Sequence, residues 1–185
     1  WTADGWYRTK STATPIKTDP SIKHGLSLSD DFEGPEPGLQ WTFWKEYAPQ
    51  SLSFKKQTLW IDAKGSTPSH ARLLLATAED KNYETQVEVN VGKGNTAGLL
   101  LYYSEKAYAG VVSDGKNFTI YRNAENSFTL PNKLGKRFLA KIQNQGNSVR
   151  IAVSKDGKEW TTLVENMDVS QLHHNNYGGF YALRI

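Results

Sequence analysis

The sequence predicts an all-β fold, a two-sheet antiparallel jelly-roll sandwich. Three observations support this fold class: segments that alternate apolar and polar residues, short apolar runs that turn dipeptides separate at regular spacing, and near absence of helical periodicity. With 185 residues, of which 38% are hydrophobic, the chain can bury a sizeable core. We therefore expect about ten short strands in two packed sheets.

Two segments show the two kinds of strand pattern. YETQVEVNV, residues 83–91, alternates inward apolar positions with charged or amide neighbours, which predicts a strand that is buried on one face. AGLLLYYS, residues 97–104, is almost continuously apolar, which predicts a strand that is covered on both faces.

Turn dipeptides join the later strands into hairpins. Asp114-Gly115 connects YAGVVS with NFTIYR, Gly146-Asn147 connects RFLAKIQ with SVRIAVS, and Asp156-Gly157 connects SVRIAVS with EWTTLV. Further short strands are predicted in LSFKKQTLWIDA, in RLLLAT and in the closing GGFYALRI. One helical turn is predicted in DVSQLH, with Asp168 or Ser170 as its cap.

Composition and charge exclude several classes of function. The net charge is +3 and the basic residues are scattered, which gives no support for nucleic-acid binding. No apolar run approaches the ~20 residues of a membrane-spanning helix. The absence of cysteine excludes disulfides and thiolate metal sites. The Thr-, Ser-, Lys- and Pro-rich stretch over residues 9–28 predicts a connector, so we place the globular domain at 29–185.

Signatures of catalysis are weak. No G-x-S-x-G motif is present, and VGKGNTAG lacks the spacing of a phosphate-binding loop. His173 and His174 could not share a metal on a strand, since neighbours there point to opposite faces, and we predict that both are surface residues. Glycoside hydrolysis needs two converging carboxylates, and nothing in the sequence marks such a pair. We predict no catalytic residue in this chain.

An acidic stretch, SDDFEGP over residues 29–35, precedes the first strands. Its carboxylates at Asp30, Asp31 and Glu33 are hard oxygen donors of the kind that calcium prefers. A capped, solvated turn accounts for the same pattern. We keep both interpretations and name Asp31 as the candidate calcium ligand.

The aromatic side chains are the other candidates for function. Aromatic residues make up 12% of the chain, although strands favour aromatic residues in any case. In LQWTFWKEYAP, Trp41 and Phe43 share one face of a strand and Trp44 lies on the other. Trp44, Tyr102, Tyr103 and Tyr108 are each either core residues or flat platforms for a sugar ring.

Four motifs together resemble one family. WTADGWYR looks like the end of the catalytic propeller of family 43 glycoside hydrolases, which include β-xylosidases and α-L-arabinofuranosidases. LSDDFEGPEPGLQW looks like the opening of the accessory module that follows it. AGLLLYYSEKAYAGVVSDGKNFTIYR resembles a hairpin of that module, and VRIAVSKDGKEWTTL resembles its S-x-D-G-x-x-W hairpin. The resemblance covers nearly the whole chain.

The resemblance carries several implications. The fold is concanavalin A-like, and residues 1–28 are the tail of an upstream catalytic domain plus a linker. The catalytic aspartate and glutamate lie in that upstream domain, so the parent protein is a glycoside hydrolase and this chain is not catalytic by itself. The protein is periplasmic or secreted, from a bacterium. In some family members an aromatic residue of this module reaches over the catalytic pocket, a role that Phe128 in ENSFTLPN would suit.

Two hypotheses for function follow. In the first, the domain binds a plant polysaccharide such as xylan or arabinoxylan through Trp44, Tyr103, Tyr108 and Asn126. Calcium, in a structural role, is the only cofactor that we predict. In the second, the domain packs against the catalytic propeller of the same polypeptide and helps to shape its active site, without binding sugar itself.

Overall fold

The computed structural model describes residues 28–45, 47–78 and 81–172, apart from the side chain of Asn126. Within these ranges the chain forms twelve strands and two short 3-10 helices, Pro49–Ser51 and Pro68–His70. The strands are β1 Thr42–Phe43, β2 Leu52–Phe54, β3 Leu59–Ile61, β4 Leu74–Leu75, β5 Asn82–Asn90, β6 Ala97–Ser104, β7 Ala107–Ser113, β8 Asn117–Arg122, β9 Glu125–Pro131, β10 Arg137–Gln145, β11 Ser148–Ser154 and β12 Trp160–Asp168.

Two four-stranded antiparallel sheets make up the body of the domain. Sheet I has the order β12-β11-β10-β5, and sheet II has the order β6-β7-β8-β9. Two small two-stranded sheets, β1-β4 and β2-β3, come from the segment before them. This arrangement confirms the predicted all-β sandwich of two antiparallel sheets.

The core lies between the two sheets. Along β10, buried Phe138, Ala140 and Ile142 alternate with outward-facing neighbours, as a strand with one buried face requires. Phe138 meets Phe118 of sheet II edge to face, with ring centroids 5.1 Å apart. Burying each such large side chain contributes about 1.5–3 kcal/mol. The core cluster comprises Val89, Val91, Ala109, Val111, Phe118, Ile120, Phe138, Ala140, Ile142, Val149, Ile151, Val153, Met167 and Val169.

The predicted hairpin turns are confirmed. Gly146 has φ +61° while Asn147 keeps a negative φ, which is the pattern of a type II′ turn. In the β7–β8 turn, Asp114 Oδ1 accepts the backbone N–H groups of Lys116 and Asn117 at 2.7 and 2.6 Å. The β11–β12 turn repeats this chemistry at Asp156. Local carboxylate hydrogen bonds thus close both Asp-Gly turns.

The segment over residues 41–75 forms a further layer on the outer face of sheet II. In β7, Ala109 and Val111 face the core, yet Tyr108 and Gly110 on the opposite face are buried as well. Trp44 of the overlying segment packs on Tyr102 of β6. The cover on both faces, predicted for residues 97–104, is therefore most complete in the neighbouring strand β7.

Two features differ from the sequence expectation. No strand was predicted in ENSFTLPN, but Glu125–Pro131 forms β9, the edge strand of sheet II, and includes Phe128. LSFKKQTLWIDA divides into β2 and β3 around Lys56-Gln57, a dipeptide that is not a turn signal. Both central residues of that turn have positive φ, 51° and 55°.

The other sequence expectations concern the ends of the domain. Asp168 Oδ1 accepts the N–H of Ser170 at 2.9 Å, which confirms Asp168 as the cap of the predicted single turn. The expectations for WTADGWYR, His173, His174 and GGFYALRI lie outside the described residues. No helix in the described part of the chain is long and apolar enough to cross a membrane.

Candidate functional site

A line of aromatic rings occupies the outer face of sheet II. Trp44 contacts Tyr102 at 5.1 Å between centroids, with the rings at 72°. Tyr102 stacks on Tyr108 at 5.6 Å and 9°, and Tyr108 meets Tyr121 at 5.5 Å and 55°. We call Trp44, Tyr102, Tyr108 and Tyr121 the aromatic cluster.

Strand register places three of these rings side by side. Tyr102 and Tyr108 are direct partners across the β6–β7 hairpin, and Tyr121 pairs with Gly110 on the next strand. The β6–β7 ladder is irregular between Tyr102 and Ser104, where Tyr103 is the additional residue. The sheet thus aligns rings that lie up to 19 positions apart in sequence.

Backbone pairing brings Trp44 over this face. Trp44 directly follows β1, and its N–H donates to the carbonyl of Leu73 at 3.4 Å, beside the β1–β4 pair. The neighbouring Lys45 has φ +62° and reaches Glu105, with Nζ 2.6 Å from Oε1. This ion pair fastens the overlying segment to the tip of the β6–β7 hairpin.

Two hydrogen-bond donors in the cluster are buried without a partner among the described residues, Trp44 Nε1 and Tyr102 Oη. Burial, followed by the nearby Glu105 carboxylate, raises the pKa of Tyr102 to about 12, so its hydroxyl stays protonated at neutral pH. The hydrogen bond from Lys45 lowers the pKa of Glu105, with a smaller contribution from the Trp44 indole. Because no well-formed hydrogen bond joins that indole to Glu105, neither buried donor has a partner among the described residues.

Of the four contact residues that the sequence predicted, two belong to the aromatic cluster and two lie outside it. Trp44 and Tyr108 are members of it, but Tyr108 is only 2% exposed and its hydroxyl donates to the Ala124 carbonyl at 3.3 Å. Tyr103 is 43% exposed and lies outside the cluster. Asn126 lies in β9, opposite Tyr121 in the register, and its side chain is outside the described part of the structure.

Sequence reasoning considered Tyr102 as a core residue or platform without naming it as a contact residue, and it did not select Tyr121 or Glu105. Alternation in NFTIYR would have assigned Tyr121 to the face opposite Phe118 and Ile120, so a signal for Tyr121 was present. No comparable signal identifies Glu105, because its position beside Trp44 depends on the tertiary fold.

Asp31 belongs to a separate region. Its Oδ1 accepts the N–H of Glu33 at 3.2 Å, which is the geometry of a capped turn. Among the described residues, no group of three or more His, Cys, Asp or Glu side chains converges as a metal site would require. In the described part of the chain, Asp31 therefore has no other carboxylate or histidine group gathered around it that would complete a metal site. Calcium binding by Asp31 stays a prediction.

The neighbouring Asp30 has a structural function. Its carboxylate accepts Phe32 N at 2.8 Å and Trp41 Nε1 at 2.8 Å. Burial alone would raise the pKa of Asp30, but hydrogen bonds from Phe32, Trp41 and the Gly38 backbone outweigh it and lower that pKa. Asp30 thus ties the opening of the domain to the ring of Trp41.

Together, the two-sheet antiparallel core and the aromatic outer face define a β-sandwich domain of the concanavalin A-like class. Residues 29–181 match the family described as the β-xylosidase C-terminal concanavalin A-like domain. The match covers most of the chain, so the chain belongs to this family. This confirms the resemblance to the C-terminal domain of these enzymes, while WTADGWYR lies outside the matched residues.

Solved structures of family 43 glycoside hydrolases share the fold. The GH43 BlXynB protein of Bacillus licheniformis aligns over 86% of this chain with a TM-score of 0.70 and 18% identity, and the chain covers 34% of it. The xylan β-1,4-xylosidase of Bacillus halodurans C-125 aligns over 95%, with a TM-score of 0.68, 18% identity and 39% of its own length covered.

A third similar structure is the Bacteroides ovatus xyloglucan PUL GH43B, with 88% of this chain aligned, a TM-score of 0.68, 14% identity and 36% of that protein covered. At these identities the similarity establishes the fold alone. The chain spans between 34% and 39% of the length of these three structures. No curated protein matches the chain significantly.

Proposed function

We propose that this chain is the non-catalytic accessory domain of a family 43 glycoside hydrolase and that it binds carbohydrate. The observation that carries the proposal is the aromatic cluster next to the Glu105 carboxylate, in which Trp44 Nε1 and Tyr102 Oη have no hydrogen-bond partner among the described residues. A sugar ring has apolar C–H faces and a rim of hydroxyl groups. A partly open aromatic surface with a few fixed polar groups complements both features.

Each polar group has a defined task in this proposal. In this proposal the segment around Trp44 moves on binding, so that the buried Trp44 indole and Tyr102 hydroxyl donate to a sugar oxygen. A sugar hydroxyl donates to Glu105, whose side chain is 41% exposed and whose lowered pKa keeps it an ionised acceptor at neutral pH. Tyr108 does not contact the sugar, because its ring is buried; it stacks on Tyr102 and holds that ring in place.

Family membership supports a plant polysaccharide such as xylan or arabinoxylan as the ligand class. In this proposal the parent protein is a β-xylosidase or α-L-arabinofuranosidase with its catalytic domain upstream, acting in the periplasm or outside a bacterial cell. A single weak contact suffices in such an arrangement, because tethering raises the effective concentration of substrate around the catalytic domain.

The direct test is calorimetric titration of the 185-residue chain with xylo-oligosaccharides and arabinoxylan fragments. We expect saturable heat, and a loss of at least about tenfold in affinity for Trp44→Ala, since truncating a central aromatic contact costs at least about 1–2 kcal/mol. Tyr47→Ala is the control, because Tyr47 is 78% exposed and lies outside the cluster. No heat with any of these sugars would overturn the proposal.

A second candidate is a bracing domain that packs against the catalytic propeller. Two observations support it. Tyr47 and Phe128 are 78% and 41% exposed. This chain covers only 34% of the solved GH43 BlXynB protein, so most of that protein lies outside the similar region. Large exposed rings are common at protein interfaces. Mixing this domain with the separately produced catalytic domain would reveal a complex. Its absence at high micromolar concentration would count against bracing.

A further inference from the structure

The hairpin formed by β2 and β3 has two chemically different faces. Leu52 pairs with Ile61 and Phe54 pairs with Leu59, so one face is apolar. Phe54 lies 6.4 Å from Phe32, between ring centroids, and thereby joins the aromatic group around Trp41. This apolar face is the one that packs on the domain.

Trp60 lies on the opposite face of the hairpin. Its direct partner across the strands is Ser53, and it is 56% exposed. By strand alternation, Lys55, Thr58 and Asp62 belong to the same face. Trp60 is therefore a single indole surrounded by hydroxyl, ammonium and carboxylate groups, on the face that does not contribute to the core.

The other tryptophans in the described ranges are engaged by the protein. Trp41 donates to Asp30, Trp160 donates to the Gly157 carbonyl at 3.0 Å, and Trp44 packs on Tyr102. The backbone of Trp60 pairs with Ser53, but no side-chain hydrogen bond or ring contact joins its indole to another described residue. More than half of the Trp60 surface is thus left to solvent.

The surroundings of Trp60 favour one kind of ligand. A protein partner buries a continuous apolar patch, but the neighbours of Trp60 on this face are polar. A sugar ring needs a flat apolar surface for its C–H groups with donors and acceptors at the edge. Ser53 and Thr58 provide hydroxyl groups, and Asp62 provides a carboxylate acceptor.

We propose that the polar face of the β2–β3 hairpin is a second carbohydrate contact, in which the Trp60 indole stacks against a pyranose ring of a neutral polysaccharide. This inference rests on the proposed function and adds a site that is separate from the aromatic cluster. Two separate contacts on one domain bind a long chain more tightly than a short one, because the second contact becomes intramolecular.

The experiment measures retention of the whole 185-residue chain on arabinoxylan in affinity electrophoresis, together with calorimetric titration with a short xylo-oligosaccharide. For Trp60→Ala we expect retention by the polysaccharide to weaken about fivefold or more. Trp60→Phe should recover part of the loss, since a flat ring remains. Ile61→Ala is the matched control on the apolar face of the same hairpin, and its retention should equal that of the unmodified chain.

The outcomes separate the two proposals. If the unmodified chain is retained and Trp60→Ala is retained equally, the Trp60 contact is refuted while carbohydrate binding stands. If the unmodified chain binds neither ligand, the proposed function itself fails. Far-UV circular dichroism of each variant confirms folding, which the exposure of Trp60 leads us to expect.

Discussion

Asp30 and Trp41 are joined by a hydrogen bond of 2.8 Å from the indole Nε1 to carboxylate Oδ2. The second carboxylate oxygen accepts the N–H of Phe32, whose ring stacks on Trp41 at 6.0 Å between centroids. One carboxylate therefore orders two aromatic rings at the start of the domain. It does so in its ionised form, since its pKa is lowered.

This relationship predicts a defined pH dependence of stability. A carboxyl whose pKa is lower in the folded state stabilises the fold fully above its unfolded pKa of about 3.9 and loses this contribution as the pH falls through the folded value. The destabilisation caused by Asp30→Asn should thus be constant above about pH 5 and shrink below about pH 4. Thermal melts from pH 3 to 7 measure it. Asp31→Asn serves as the neighbouring control, and an Asp30→Asn difference that does not change with pH would refute the argument.

Tyr102→Phe separates stability from ligand binding. The Tyr102 hydroxyl is buried and has no partner in the described part of the chain, so its removal relieves a desolvation cost and should leave the melting temperature unchanged or raise it. If that hydroxyl donates to a sugar oxygen, affinity should fall by roughly two- to tenfold. Differential scanning calorimetry and titration on the same preparation report both effects. A variant that loses stability by more than about 1 kcal/mol would show that the hydroxyl has a structural partner.

The β8–β9 turn offers a stabilising substitution. Asn123 and Ala124 both have positive φ, 52° and 64°, as a type I′ turn requires, and alanine is disfavoured there by roughly 1–2 kcal/mol. We expect Ala124→Gly to stabilise the domain by about 0.5–1 kcal/mol in urea denaturation, after the entropic cost of glycine. The control Ala152→Gly, at a buried position in β11, should instead destabilise by about 1 kcal/mol. Stabilisation by both substitutions, or by neither, would contradict the turn assignment.

The calcium prediction is tested by melting the chain with calcium at about millimolar concentration and again with excess chelator. A ligand that binds only the folded state raises the melting temperature, so the Asp31 prediction requires a rise that chelator reverses and that Asp31→Asn abolishes. Equal melting temperatures with calcium and with chelator would show that the folded domain does not bind calcium.

The sequence predicted the strands of both main sheets well where the patterns were local. The predicted strand over residues 97–104 has the same bounds as β6, because the apolar run between two turn signals has the length of a single strand. The strand β9 was missed although Ser127, Phe128, Thr129 and Leu130 alternate polar and apolar side chains, because no turn dipeptide of the Asn-Gly or Asp-Gly type precedes it. It pairs with β8 through the two-residue turn Asn123-Ala124, a dipeptide that the sequence does not mark as a hairpin turn.

The site was predicted less well than the fold. Trp44 was identified as a ring of uncertain placement, and the fold puts it against Tyr102. Trp60 was not selected at all, although LSFKKQTLWIDA was recognised as strand-forming. To decide which of these indoles is exposed, one must know which face of each strand is covered by the rest of the fold. The periodicity of the sequence does not give that information.

The amino-acid sequence by itself determined the fold class, the positions of the Asp-Gly and Gly-Asn turns and the family, because these depend on residue order over a few positions. The tertiary structure alone decided which rings are buried. Tyr108 is closed in by the segment over residues 41–75, while Trp60 on that same segment stays exposed. The physical reason is that burial depends on which surfaces the sheets and the overlying segment bring together.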